Sequence, residues 1–383
     1  NDRILLDHGS GGRASHDLIA SLFLPQFDNE FLREMNDSAV MIIGGTKLAF
    51  STDSYVVDPI FFPGGDIGSL AIHGTVNDLA MRGARPLYLS VGFIIEEGLP
   101  MSDLKTIAGS MKNAAAEAGV VIVTGDTKVV PKGATDKVFI NTAGIGIIDP
   151  DVNISGQNAR PGDKVILSGT IADHGITILT CREGLQFDAP LKSDSAPLNT
   201  LVAEMLATSR KINVLRDPTR GGLGTSLNEI AGQSRVGIRV HEEAIPVRPE
   251  VQAACELLGI DPLYLANEGK LIACAAAQDA EKLIDIMHKN PYGRDACIIG
   301  EVISDHPGKV FMKTIIGGNR IVDMLTGEPL PRICRIKSHP SAVSYQPCAP
   351  PCQPLDICEK IPGRETILVK LLDFCVSSVK LPC

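Results

Sequence analysis

The sequence has no tryptophan and few other aromatics: 5 Tyr and 11 Phe among 383 residues, 4% in all. That argues against a surface that works by stacking on bases. It also lacks an excess of positive charge. Its 36 basic and 45 acidic residues leave a net of −9, so no nucleic-acid partner is expected. No apolar run approaches the 18 or more residues of a membrane helix, and no membrane partner is expected. No signal peptide is read at the start, and the Asn1 opening implies that at least one residue has been removed. A cytoplasmic location is the expectation. Hydrophobic residues at 44% and charged residues at 21% exclude a wholly disordered chain. At about 150 residues per domain, the length implies two to three domains.

The common site fingerprints are missing too. There is no G-x-x-x-x-G-K-[ST], no G-x-G-x-x-G after a strand and no G-x-S-x-G elbow. There is no C-x-x-C or H-E-x-x-H zinc spacing. Cysteine is sparse over most of the chain, where only Cys181, Cys255, Cys274, Cys297 and Cys334 occur. Scattered single thiols fit a reducing compartment rather than a disulfide framework. Residues 335–383 differ: they hold 5 of the 10 Cys and 7 of the 25 Pro but 1 of the 37 Gly. Setting aside their 6 basic and 4 acidic residues leaves 30 and 41 in residues 1–334, a net of −11. An acidic, glycine-rich body is therefore followed by a Pro- and Cys-rich extension that is expected to be disordered.

What is present in the body is an alternation of strands and helices, an α/β (α+β) pattern. Strands are expected at Leu48–Val57, Leu87–Glu96, Val120–Thr124 and Val138–Ile148, with a helix over Ile67–Arg82. Met101–Ala118 is the clearest helix, with Leu104, Ile107, Ala108, Met111 and Ala115 on one stripe, Ser102 as N-cap and Gly119 as its end. The turn-rich segment Asp149–Gly162 marks a domain boundary. Beyond it, strands are expected at Lys164–Ser168, 236–241, 270–275 and 297–303. Helices are expected near 174–183, 195–209, 219–232 and 249–258, the last opened by Pro249. The organisation is then a Gly-rich segment over 1–36, a mixed-sheet domain over 37–150, an α/β domain over 160–310, an arm over 311–334 and the extension.

Aspartates flanked by small residues punctuate this pattern. Asp53 lies in Ser51-Thr52-Asp53-Ser54, Asp78 follows Asn77, and Asp126 lies in Gly125-Asp126-Thr127-Lys128. Loops at strand ends are where α/β proteins place ligands. Converging carboxylates repel unless divalent cations lie between them, and Mg²⁺ takes carboxylate and phosphate oxygens together. Each aspartate alone fits a turn residue or a helix cap as well. Gly9, Ser10, Gly11 and Gly12 form a stretch whose N–H groups can cradle phosphate, or a flexible terminus. Arg216-Asp217-Pro218-Thr219-Arg220-Gly221-Gly222 opens a helix and offers N–H groups to an anion, unless Asp217 only caps it. Glu268, between Asn267 and Gly269 at a strand start, reads as a turn residue or as a general base.

Taken in order, HGSGG (8–12), STDSY (51–55), FFPGG (61–65), Asn77-Asp78, GDTKVV (125–130), NTAG (141–144), DHG (173–175), DPTRGG (217–222), ANEGK (266–270) and PRIC (331–334) closely resemble the HypE family of hydrogenase maturation proteins. The resemblance spans almost all of residues 4–334. It implies a two-domain PurM-like fold with an N-terminal ATP-binding half, shared with aminoimidazole ribonucleotide synthetase, selenophosphate synthetase and thiamine monophosphate kinase. It implies that Cys334 receives a carbamoyl group from the carbamoyltransferase HypF, that ATP drives its dehydration to thiocyanate, and that the HypC–HypD complex takes the cyanide for the iron of [NiFe]-hydrogenase. Residues matching Asp53, Asp78 and Asp126 would hold Mg²⁺, with Asn77, Gly125, Asp217 and Arg220 at the nucleotide. Glu268 is the candidate base, with Lys128 assisting it or stabilising charge. His174 touches phosphate or the carbamoyl oxygen, or is a structural histidine. A homodimer through the N-terminal halves is also implied.

The sequence departs from the family where Cys334 is followed by Arg335 instead of ending the chain. Read-through, a frame error, cloning-derived sequence and a genuine extension all account for this, and the extension stands to obstruct Cys334. Two alternatives remain at this point. One is a small-molecule ATP-dependent synthetase or kinase of the same superfamily. The other is a metal or cluster scaffold using Cys348, Cys352, Cys358, Cys375 and Cys383, whose spacings match no zinc pattern.

Overall fold

A computed structural model describes residues 3–185, 187 and 190–327. Cys334, the PRIC motif and the cysteines of 335–383 lie outside the described residues, as do the expectations attached to them. The strands in chain order are β1 (Ala39–Ile43), β2 (Thr46–Tyr55), β3 (Phe61–Phe62), β4 (Gly65–Asp66), β5 (Ala84–Glu96), β6 (Val121–Val130), β7 (Val138–Ile148), β8 (Lys164–Leu167), β9 (Ile212–Arg216), β10 (Gly237–His241), β11 (Ile272–Ala275), β12 (Cys297–Ile303), β13 (Val310–Lys313) and β14 (Asn319–Val322). They form a five-stranded mixed sheet in the order β1-β2-β7-β5-β6, a seven-stranded sheet in the order β14-β13-β10-β12-β8-β11-β9, and the small β3-β4 ribbon.

Period-two burial builds the first sheet. Along β7, Val138, Ile140, Thr142, Gly144, Gly146 and Ile148 all face inward. The helix Ile67–Ala80 lies on that face and is buried almost all round, as an apolar helix with small residues must be. Asp66 caps it, accepting N–H bonds from Gly68 at 2.7 Å and Ser69 at 2.9 Å. The amphipathic helix Met101–Ala118 packs outside it and ends at Gly119 in the left-handed region. Ser102 is not its cap. The helix starts one residue earlier, after Pro100, and the Ser102 hydroxyl donates to Asp103 at 3.3 Å.

The second sheet carries Asp173–Glu183, Asn199–Thr208, Gly222–Ser234, Pro249–Leu258 and Ala277–Met287 as helices. Pro249 stands in the first turn of its helix. Residues 311–322, assigned above to the arm, instead hold most of β13 and all of β14, which extend the second sheet by two strands.

Asn77 ties the two halves together. Its amide donates to the carbonyls of Ala196 at 3.0 Å and Glu268 at 3.4 Å, and accepts from the Leu198 N–H at 2.8 Å. The residue is fully buried, so removing its amide strands backbone groups away from water. Asn77→Ala is expected to cost about 2–3 kcal/mol for those unsatisfied partners. A urea melt reads the loss directly; an unchanged midpoint would show that the bracket is dispensable.

Candidate functional site

A cavity of about 580 Å³ lies between the two halves. The first half contributes Asp53 from β2 and Asp78 from the last turn of helix Ile67–Ala80. The second contributes His174, Asp217, Arg220 and Glu268, and the N-terminal segment adds Gly9 and Ser10. One part of the wall is apolar, with Val57, Leu70, Ile178 and Leu265. Asp53 is not at an element end, because β2 runs on to Tyr55.

Four carboxylates therefore share one space. Burial and then the charges of Asp217, Asp37 and Asp53 push Asp78 well above the usual carboxylate range, although the Ser51 hydroxyl donates to it at 2.7 Å. Burial and Asp37 push Asp217 up to about 8. Burial, Asp217 and Asp194 push Glu268 well above its ordinary value. Few cations answer them. Arg220 approaches Asp53 at 3.8 Å. Arg216 is engaged elsewhere, at 3.4 Å from Asp37 and 2.7 Å from Glu229. Such a lining holds protons at neutral pH or takes up cations.

His174 is buried, and burial pushes it down to about 4, so it is a neutral imidazole at physiological pH. Its Nδ1 lies 2.8 Å from the Ser193 hydroxyl, and its ring meets Phe62 edge-on at 5.6 Å.

The Glu268 loop is held by Asn267, read above only as a motif neighbour, and by Asp194, which no sequence signal marked. Asn267 is wholly buried. Its carbonyl accepts the Ala172 N–H at 2.7 Å, and its amide donates to the Pro218 carbonyl at 2.9 Å. It thereby fixes the Asp217 turn to the Glu268 loop. Asp194 accepts the N–H groups of Glu268 at 3.1 Å and Gly269 at 3.3 Å, and the Lys270 ammonium at 3.1 Å. A side chain at Gly269 would run into the Asp194 carbonyl oxygen. Burial works to raise Asp194, yet Lys270 and His174 hold it below the usual carboxylate value. Its Ser193-Asp194-Ser195 context reads only as a polar loop in sequence, which is why no signal marked it.

Asp194→Asn keeps the shape and removes the charge. Breaking a buried pair in this way is expected to cost about 3 kcal/mol. The wild-type contribution is present above the ordinary carboxylate pKa of 3.8 and is lost as pH falls through the lower folded value. Acid-unfolding curves that coincide for wild type and Asp194→Asn would remove the pair from the account.

Other expected site residues stand elsewhere. Gly125, Asp126 and Lys128 lie within the exposed strand β6, where the Lys128 ammonium pairs with Asp126 at 2.8 Å. Gly125 is a mid-strand residue pressed against the Val91 carbonyl, not the end of a strand. Strands β7 and β5 separate β6 from β2, so three strand spacings, about 14 Å, keep Asp126 from Asp53 within one chain. Among the described residues no group of three or more His, Cys, Asp or Glu is arranged to hold a metal, so the Asp53–Asp78–Asp126 set does not form in the single chain. Asn77 is spent on the bracket. Gly11 and Gly12 pack against Arg220 and Leu325 and do not line the carboxylate cavity. Asp217 does not cap the helix after it, which starts at Gly222 behind Gly221.

No helix among the described residues is long and apolar enough to cross a membrane. A family described as AIR synthase related protein matches through its N-terminal domain over residues 35–148 and its C-terminal domain over 160–313. The chain is 58% identical to the carbamoyl dehydratase HypE of Cupriavidus necator over 333 residues, which cover 87% of this chain and 95% of that relative. A solved HypE–HypF complex has a chain that is similar with a TM-score of 0.77 at 52% identity, covering 80% of this chain and 99% of that one. A solved hydrogenase maturation protein HypE in complex with ATP is similar with a TM-score of 0.73 at 57% identity, covering 87% and 100%. With this fold, this cavity and these likenesses, the chain belongs to the HypE family of carbamoyl dehydratases.

Proposed function

We propose that this chain uses ATP to dehydrate a carbamoyl group carried on the sulfur of Cys334, yielding a thiocyanate whose cyanide is destined for the iron of [NiFe]-hydrogenase. The balance is closed. The carbamoyl oxygen takes the terminal phosphoryl group and ADP leaves. The carbon–oxygen bond then breaks with release of phosphate, and the nitrogen gives up two protons as its bond to carbon becomes triple. Nothing is oxidised or reduced. The observation that carries the reading is Glu268, a carboxylate of raised proton affinity in a cavity walled by both halves. The similar protein solved with ATP supports a nucleotide as co-substrate.

Glu268 takes protons from the carbamoyl nitrogen, for which a high proton affinity suits it. His174, neutral and oriented by Ser193, donates or accepts a hydrogen bond at the reacting oxygen without adding charge. Arg220 stands beside the cavity to meet phosphate. The carboxylates fit magnesium, because burial raises the proton affinity of Asp78, Asp217 and Glu268, Asp217 raises that of the other two, Asp53 raises all three, and a cation relieves this. Asp53 and Asp78 would hold Mg²⁺, which when bound neutralises charge on the transferring phosphoryl group. Asp126 and Lys128 enter through a homodimer. Strand β6 is an open edge with Val121, Val123 and Val129 exposed, and a second copy covering it would shield them. HypF is the source of the carbamoyl group, in keeping with the similar protein solved in complex with it, and HypC–HypD is the acceptor of the cyanide.

Intact mass of the chain after carbamoylation tests this. Adding ATP should lower the mass of the adduct by one water, with peptide mapping placing the change on Cys334. An adduct that keeps its water in the presence of ATP would overturn the proposal.

A further inference from the structure

Another cavity, of about 270 Å³, is lined by the loop that carries Asp194. Three cationic side chains line it, Arg248, Lys270 and Arg294, in a chain whose net charge is −9. Their donors are largely unspent. Lys270 uses one of its three N–H bonds on Asp194. Arg248 engages Asp173 through Nε at 3.4 Å, which leaves its two terminal nitrogens. Arg294 is exposed and has no ion pair or hydrogen bond among the described residues. Hydroxyls of Ser168 and Ser193 add to the wall. Asp194 and Asp295 are the two carboxylates on it, and Asp194 is already satisfied by Lys270 and two backbone N–H groups.

We propose that this cavity is a binding site for a phosphate-type oxyanion, separate from the carboxylate-lined cavity and joined to it through Asp194. Two planar guanidinium groups and an ammonium around a small polar space match a tetrahedral anion, and nothing apolar in ligand chemistry explains them. The wall is shared. His174 lines the carboxylate cavity and bonds to Ser193, which lines the small one. Glu268 lines the carboxylate cavity, and its backbone N–H is held by the same Asp194 that pairs with Lys270 in the small one. An anion that draws on Lys270 competes with Asp194, so its occupancy is felt at the Glu268 loop. The site is independent of the reaction proposed above, since charge and hydrogen-bonding capacity alone define its lining.

The test is a calorimetric titration of the full chain with inorganic phosphate at constant ionic strength, with a non-hydrolysable ATP analogue at saturation. Saturable binding of one phosphate that persists beside the analogue is expected. Arg294→Gln should weaken it about tenfold, the worth of a charge-assisted hydrogen bond, and Arg294→Lys should recover part of the loss. Arg294 is exposed and unpaired, so its variants should melt like the wild type. The proposal fails if phosphate does not saturate, if the ATP analogue displaces it, or if Arg294→Gln binds it unchanged.

Discussion

Glu268→Gln is expected to slow ATP-dependent dehydration by roughly 10²- to 10⁴-fold, the range for removing a positioned general base. Carbamoyl acceptance and nucleotide binding should persist, because the amide keeps the shape of the side chain and its N–H stays with Asp194. The carbamoylated intermediate should then accumulate, and mass spectrometry under single-turnover conditions will show it. The same variant has a second signature. A carboxylate whose folded pKa is raised favours the fold below its unfolded pKa, and this is lost as pH rises through the folded value. For Glu268 the loss begins near its ordinary 4.5 and runs upward, and Asp217 adds to it up to about 8. Wild-type stability without ligands should fall between pH 5 and pH 8, and Glu268→Gln should flatten that slope. Dehydration at the native rate would remove Glu268 from the role of base.

Cys334→Ala should abolish attachment of the carbamoyl group and therefore every later step. A thiolate is a soft nucleophile that accepts the carbamoyl carbon and later releases cyanide; no alanine substitutes for it. ATP binding should be unchanged, since the cavity is built from residues before Gly327. Isotope transfer from a carbamoyl donor, read on the intact chain, distinguishes this from a small-molecule synthetase, which needs no carrier. Label retained on the variant at wild-type stoichiometry would assign the carrier to another residue. Of the remaining cysteines among the described residues, Cys255 and Cys274 are buried and pushed upward by burial, Cys255 to about 12, which makes them poor competitors.

Much of the architecture was legible because it rests on local rules. The stripe of Met101–Ala118, its Gly119 end and the Pro249 start all follow from periodicity and backbone preference, and the structure reproduces them. Glu268, Asp217 and Asp78 were legible as polar residues in tight surroundings. What failed was the reading of glycine as punctuation. Gly125 sits in mid-strand because β5 approaches closely in parallel, so Asp126 is a strand residue and not a loop residue. Nor does a sequence reveal that an edge strand lies three places from Asp53. Asp194 was invisible for another reason: its importance comes from Lys270 and the Glu268 loop, more than 70 residues away, and no local pattern encodes that meeting.

Leu325 lines the carboxylate cavity, and the chain passes Asp7 at Gly327. Cys334 stands nine residues beyond Leu325, so even a fully stretched tether of that length spans at most about 30 Å. In the proposed function the thiol is thus a leashed reagent. Its local concentration at the cavity is set by the leash and not by diffusion, and each donor or acceptor must bring its own chemistry inside that radius. Lengthening the leash with inserted residues would enlarge the sphere and dilute the reagent within it.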